Sequence, residues 1–183
     1  MNIYKVAVIV GSTSKKSTNM QFAKALIKLA PENLEFNFLD IAALPMYNHD
    51  FDADMPAEAK LFKENVRAAD AILFVTPEYN RAIPGVLKNA LDTASRPAGD
   101  NSWSGKPAAV IGASISPIGT ALAQNHLRSC VTFLDILMMN QPEAYIKITD
   151  NFYNSDGTIG EGSEDFLRNW MKSFAAWIEK MPR

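Results

Sequence analysis

Tyr4-Lys5-Val6-Ala7-Val8-Ile9-Val10-Gly11-Ser12-Thr13-Ser14-Lys15-Lys16-Ser17-Thr18-Asn19 decides the fold. Its first half is a short β-branched run with one charge, Lys5. A nearly continuous apolar run suits a strand covered on both faces, as in a parallel sheet. Gly11 lets the chain turn sharply. Phe22, Ala25, Leu26 and Leu29 then recur at helical spacing until Pro31.

The same alternation continues outward. Leu34 to Leu39 alternates apolar and polar residues and predicts a strand. Ala57 to Ala69 predicts an amphipathic helix, with Leu61, Phe62 and Val66 on one face. Ala71 to Val75 predicts a fully apolar strand ended at Pro77. A helix from Pro84 to Ser95 follows, with proline in a favoured first-turn position. Ala108 to Ile111 predicts the next strand, Ile118 to Leu134 a helix and Ile136 to Met139 a last strand. Phe166, Trp170, Phe174 and Trp177 mark a closing helix from Glu164 to Lys180. Strands that alternate with helices imply a parallel sheet covered on both faces. Five strands suit an α/β fold of flavodoxin-like, doubly wound order better than a larger dinucleotide-binding sheet.

The 183 residues fit one domain, with no internal repeat, linker or low-complexity segment. At 48% hydrophobic and 21% charged residues, the composition is that of an ordinary globular chain. No segment approaches the roughly 20 apolar residues that span a bilayer. No signal-peptide pattern opens the chain, which predicts a cytoplasmic location without membrane contact. A net charge of −2 with scattered Lys and Arg argues against a nucleic-acid partner. Cys130 is the single cysteine, so no internal disulfide forms, and its apolar surroundings predict a small packed side chain rather than a reactive thiol.

Ligands of such sheets bind at the carboxyl ends of the strands. Three loops there carry the chemistry. In the first, five hydroxyls and an amide between Ser12 and Asn19 gather at the mouth of a helix. Backbone N–H groups and the helix dipole favour an anion there. Thr18 with Gln21 also forms a possible capping box. Capping explains one hydroxyl and not five, so the loop predicts a phosphate site. It is neither a Walker A loop nor a dinucleotide loop, because the required glycines and the Gly-Lys-Ser/Thr end are absent. In the second loop, Pro77 and Pro84 stiffen a stretch whose free N–H groups suit a planar heterocycle. The third, Gly112 to Gly119, offers small residues that admit a flat ring.

These residues resemble the NAD(P)H-dependent FMN reductase family, which includes quinone, chromate and some azo reductases. The family's Gly-Ser-x-Arg-x-x-Ser-x-Asn pattern is matched by Gly11, Ser12, Ser17 and Asn19. Thr76-Pro77-Glu78-Tyr79-Asn80 and Pro84-Gly85-Val86-Leu87-Lys88-Asn89-Ala90-Leu91-Asp92 match its second motif closely. Leu44 to Asn48, Ser95-Arg96-Pro97 and Gly105-Lys106-Pro107 fit as well, so the resemblance covers nearly the whole chain. Ser14 stands where the family has its arginine, and Lys15 or Lys16 is the expected replacement for that charge.

The resemblance implies one FMN-binding domain over residues 1–183, with NADPH or NADH as co-substrate. By it, Ser12, Ser14, Lys15, Ser17, Thr18 and Asn19 hold the phosphate after the turn at Gly11. Pro77, Glu78, Tyr79, Asn80 and Arg81 line the isoalloxazine, mostly through backbone, and Ser114 lies beside it. It further implies ping-pong transfer to a quinone or a similar small acceptor, such as a flavin, an azo compound or chromate. No side chain is expected to act as a general acid or base. Tyr79 and Arg81 are candidates for shaping the site or meeting the nucleotide. A homodimer or homotetramer is expected, with loop aromatics Tyr47, Phe51, Trp103 and Phe152 as candidates to cover a partner's site. A non-enzymatic flavodoxin-type electron carrier is the alternative. Such carriers are typically strongly acidic for electrostatic docking, which a charge of −2 does not match. A flavin-free binding protein is the second alternative. His49 among Asp50, Asp52 and Asp54 reads as a solvated acidic loop, and His126 as a packing or subunit contact, so no metal is expected.

Overall fold

Strand β1 (Tyr4–Val10) buries every residue except Lys5. Val6, Val8 and Val10 join one core, while Ala7 and Ile9 join the other. Both faces of the strand are covered, which is why its sequence shows no alternation. The structure is a computed structural model that describes residues 2–181.

Helix α1 (Thr18–Leu26) follows the hydroxyl-rich loop. Its N-cap is Ser17, whose Oγ accepts from the Met20 N–H at 3.1 Å. The capping box expected at Thr18 is therefore displaced by one residue, because Ser17 has the extended backbone that a cap needs. A short 3₁₀ turn over Ile27–Leu29 tightens the end of this helix. The chain continues through β2 (Leu34–Phe38), α2 (Ala57–Ala68), β3 (Ala71–Val75) and α3 (Gly85–Ala94). Pro84 is the N-cap of α3 rather than its first helical residue. Next come β4 (Pro107–Ser114), α4 (Ala121–Phe133), β5 (Leu137–Met138), β6 (Tyr145–Lys147) and α5 (Glu161–Lys180). Helix α4 starts later than its apolar spacing predicts, because Gly119 sits at φ 63° and breaks the helical path.

The sheet order is β2-β1-β3-β4-β5, and every pair is parallel. That is the flavodoxin-like order. Six strands fill its five positions. Strand β5 pairs with Pro107 and Ala108, and β6 pairs with Gly112, Ala113 and Ser114 farther along the same edge of β4. Helices α1 and α5 cover one face, and α2, α3 and α4 cover the other.

Two loop aromatics belong to these cores. Trp103 is fully buried and donates its indole N–H to the Leu91 carbonyl at 2.9 Å, and Phe152 packs against Phe22. Tyr47 donates its hydroxyl to Asp52 at 2.9 Å and accepts from Arg96 at 2.9 Å. In the acidic loop, Asp52 pairs with Arg96 at 2.5 Å and Asp54 with Lys60 at 2.9 Å. Burial alone would raise the Asp52 carboxyl, but hydrogen bonds from Arg96 and Tyr47 outweigh it and hold the group below its ordinary range. Burial pushes the half-buried Cys130 thiol up, away from the reactive thiolate. Among the described residues no helix is long and apolar enough to cross a membrane.

Candidate functional site

The loops after β1, β3 and β4 converge at the carboxyl ends of the strands. Gly11 joins its N–H to Val75 at 2.9 Å, and Thr76 joins its own to Ile111 at 3.0 Å, so the loops leave the sheet side by side. A hollow of about 290 Å³ lies between them. A larger cleft of about 460 Å³ surrounds Tyr4, Lys106 and Leu137 at the opposite ends of the strands. Open parallel sheets bind ligands at the carboxyl side, so the smaller hollow is the candidate site.

The first loop is built from hydroxyls that face backward onto their own backbone. Ser12 Oγ accepts from the Ser14 N–H at 3.4 Å, Ser14 Oγ from Lys16 at 3.3 Å and Ser17 Oγ from Met20 at 3.1 Å. Each oxygen is thereby used as an acceptor, and each hydroxyl proton remains to be donated. Among the described residues, no acceptor meets the N–H groups of Ser12, Thr13, Lys15, Thr18 or Asn19. A set of donors without acceptors, at a helix N-terminus, has the chemistry that suits an anion. Its chemistry fits a phosphate.

Asn19 has another task. It is 3% exposed, and its amide clasps the backbone of Ala113. The side chain fixes the start of α1 against the end of β4. Gly112, one residue earlier in β4, makes the close approach possible on the other side. A Cβ there would lie 2.1 Å from the Thr76 carbonyl oxygen and 2.3 Å from Thr120 Oγ1.

The second loop forms a two-residue hairpin. Tyr79 and Ala82 exchange two backbone hydrogen bonds of 3.0 Å across Asn80 and Arg81. Both central residues are left-handed, at φ 51° and 67°. Neither is glycine, and each such residue stores on the order of 1–2 kcal/mol. Surrounding contacts must therefore hold the turn in place. Glu78 Oε2 accepts from the Leu122 and Ala123 N–H groups at 3.0 and 3.1 Å, which caps α4 from outside. The N–H groups of Asn80 and Arg81 meet no acceptor among the described residues, so they remain for a ligand edge.

Ser12, Ser14, Ser17, Thr18, Asn19, Pro77, Glu78, Tyr79 and Ser114 all line the hollow. Gly11, Lys15, Asn80 and Arg81 do not, although each is next in the chain to a residue that does or to its neighbour. Lys16 lines the hollow in place of Lys15. Arg81 reaches back to within 4.0 Å of Glu78 and is two-thirds exposed. Ala113 and Ile115 also line the site, and the sequence reading did not single them out. Ala113 is the penultimate residue of β4 and Ile115 follows the end of that strand, so the small-residue stretch around them is their only signal. Among the described residues, no three His, Cys, Asp or Glu side chains are grouped to hold a metal.

Residues 4–150 match the family model described as NADPH-dependent FMN reductase. A 2-hydroxy-1,4-benzoquinone reductase of a Burkholderia species is 51% identical over 175 residues, which is 95% of this chain and 96% of that protein. A quinone reductase of Pseudomonas putida is 44% identical and covers 97% of this chain and 96% of its own. The solved structure of FerB, a flavoenzyme NAD(P)H:(acceptor) oxidoreductase from Paracoccus denitrificans, superposes with a TM-score of 0.94 at 47% identity. That match covers 98% of this chain and 99% of the other.

Proposed function

The chain belongs to the NADPH-dependent FMN reductase family, and from that premise we propose that it is an FMN-dependent NAD(P)H oxidoreductase whose acceptor is a quinone. The observation that carries the assignment to this hollow is its donor set: an anion cradle beside a hairpin with two unpaired N–H groups. The relatives are quinone reductases and an NAD(P)H:(acceptor) oxidoreductase, which favours an enzyme over an electron carrier.

Bound here, FMN would supply the two-electron chemistry that links the nicotinamide to the acceptor. The chain's part is to bind and orient. Ser12, Ser14, Ser17 and Thr18 would donate hydroxyl hydrogen bonds to the phosphate, joined by the N–H groups of Thr18 and Asn19 at the helix mouth. Lys16 supplies a positive charge beside them, with Lys15 next to it. Pro77 to Arg81 present backbone to the ring edge, and Ser114 closes the side under β4. Glu78 keeps that backbone free by spending its carboxylate on α4. Tyr79, 55% exposed, stands at the mouth where nucleotide and quinone exchange places. Arg81, with two-thirds of its side chain exposed, would meet the anionic part of the nucleotide. No residue of the hollow is placed as a general acid or base.

A homodimer or homotetramer in the cytoplasm is part of the same reading. Ile115, Ile118 and Leu122 expose 80%, 44% and 40% of their surface next to the hollow, and Phe133 exposes 92% at the far end of α4. Exposed apolar residues of this extent support an interface. The deciding experiment is steady-state oxidation of NADPH and NADH by the FMN-loaded protein, with and without a benzoquinone. Fast oxidation that depends on the quinone is expected. A flavin-loaded protein that neither nucleotide reduces would overturn the assignment.

A further inference from the structure

The hairpin over the hollow is gripped by one helix. Glu78, before the turn, accepts from Leu122 and Ala123 at 3.0 and 3.1 Å. Beyond the turn, the Ile83 N–H donates to His126 Nδ1 at 3.3 Å. Leu122 and His126 are four residues apart and lie on the same face of α4. Both arms of a strained, two-residue turn are thus tied to one strip of helix. The second tie is the weaker and the more chemically labile of the two. It holds only while Nδ1 lacks a proton, which puts the ring proton on Nε2.

We propose that His126 is a proton-sensitive positioning residue, whose unprotonated Nδ1 holds Ile83 and thereby the hairpin that the function above assigns to the isoalloxazine edge. A proton on Nδ1 turns the acceptor into a donor that faces another donor, and the bond is lost. The hairpin then keeps the Glu78 tie and the packing of the Ile83 side chain in the core but loses its second polar tie, and the left-handed Asn80 and Arg81 relax away from the ring. In the single protomer His126 is exposed on the helix surface, on the strip of α4 whose Leu122 belongs to the proposed subunit interface. Charged groups near this strip are Glu78 and Arg81 from the loop, Arg128 from α4, and Lys88 and Asp92 from α3, the last two close enough to Cys130, one turn beyond His126, to act on its thiol. Glu78 and Arg81 lie 4.0 Å apart, and Lys88 and Asp92 are paired at 2.7 Å. Arg128 is turned to the Met139 carbonyl at 3.0 Å. None of them forms a hydrogen bond with the imidazole. Histidine is the side-chain type that changes charge between about pH 5 and 8, which sets the range to test.

Two readouts on the full chain test this. The first uses the FMN-free protein: amide exchange and the chemical shift of Ile83, followed by NMR from pH 8 to pH 5 alongside the His126 ring resonances. Protection of Ile83 is expected to fall about fivefold as His126 protonates, the factor of one net hydrogen bond. The second is the FMN dissociation constant over the same range for wild type, His126→Gln and His126→Leu. A phosphate monoester also titrates near pH 6, so the difference between variants is what is read. Gln supplies an acceptor without a titration, and is expected to bind FMN like wild type at pH 8 and about fivefold tighter than wild type at pH 5. Leu is expected to bind about fivefold more weakly than wild type at pH 8. An Ile83 amide indifferent to the His126 charge overturns the clamp, whatever FMN does. An amide that responds while the three FMN profiles coincide overturns the positioning role and leaves the reductase standing. A responsive amide in a protein that takes up no FMN at any pH overturns the cofactor assignment and the positioning role with it.

Discussion

Asn19 and Ala113 are 94 residues apart in sequence, yet they form a closed pair: the Asn19 amide donates to the Ala113 carbonyl and accepts from its N–H, both at 2.9 Å. Asn19 stands in the first turn of α1, and Ala113 near the end of β4. The pair therefore joins two of the three loops that make the hollow. It also gives the amide side chain a structural task within the donor-rich loop. The backbone N–H of Asn19 is left unpaired among the described residues, and the side chain sets where that N–H points.

Asn19→Ala is expected to leave both backbone groups of Ala113 buried and unpaired. At about 1–3 kcal/mol for each buried orphan, the loss is about 2–6 kcal/mol, partly offset if water enters. Urea unfolding should show a lower midpoint with an unchanged slope. FMN affinity should fall about tenfold, or about 1.4 kcal/mol, because the helix mouth is no longer fixed against β4. A variant as stable as wild type would show that the pair holds nothing together.

Ser14→Arg restores the charge that the family pattern has at this position. Ser14 lines the hollow and is exposed, so a longer side chain has room. The substitution gives up one weak bond, the 3.3 Å contact from the Lys16 N–H. A hydrogen bond to a charged group contributes about 1.5–3 kcal/mol, which predicts FMN binding at least about tenfold tighter at low salt. The gain should shrink as ionic strength rises. Titration of FMN fluorescence at two salt concentrations measures both. Equal affinity in both proteins would mean that hydroxyls, backbone and Lys16 already satisfy the phosphate.

Gly112→Ala tests how tightly β3 and β4 are packed under the site. The added Cβ would meet a backbone oxygen, that of Thr76, at 2.1 Å, and Thr120 Oγ1 at 2.3 Å. A rotamer change relieves the second clash but not the first. Overpacking of this kind costs about 3 kcal/mol, and Thr76 must move with Pro77 and the hairpin beyond it. Lowered thermal stability together with weakened FMN binding is the expected pair of results. A stable variant with normal affinity would show that β3 and β4 can separate without disturbing the loops.

The frame of this site is legible in the sequence, because each part of it is local. Continuous apolar runs mark β1, β3 and β4, and 3.6-residue spacing marks the helices. The loop compositions mark the hollow. What escapes is whatever depends on a distant partner. Strand β6 is three residues long and preceded by a proline at 142. It becomes a strand only because β4 runs past the two-residue β5 and leaves its edge open. Glu78 reads as a ring-loop residue, but its carboxylate belongs to the start of α4, 44 residues on. Nothing near His126 in sequence announces Ile83, 43 residues before it. The cap at Ser17 instead of Thr18 is a one-residue difference in backbone angle, below what residue type alone resolves.

Tyr153 predicts an alkaline limit to stability. Among the described residues its buried hydroxyl has no hydrogen-bond partner, and burial pushes its pKa from 10.0 up to about 12. The raised value means that the folded protein holds the phenolic proton more tightly than the unfolded chain does. This contribution is fully present below the unfolded value of 10.0 and is lost as pH rises from there towards about 12. Tyr153→Phe has no proton to lose. Removing an unpaired buried hydroxyl while keeping the ring also spares its desolvation, about 1 kcal/mol, and the ring's edge contact with Phe152 at 4.9 Å is retained. The variant should therefore be as stable as wild type or slightly more so at pH 7, and its advantage should widen above pH 10. Urea midpoints at pH 7, 9.5 and 11 measure both effects. A variant that is less stable at pH 7 would mean that the hydroxyl has a partner, such as a bound water, and a constant difference across the three pH values would mean that the phenol is solvated enough to ionise in place.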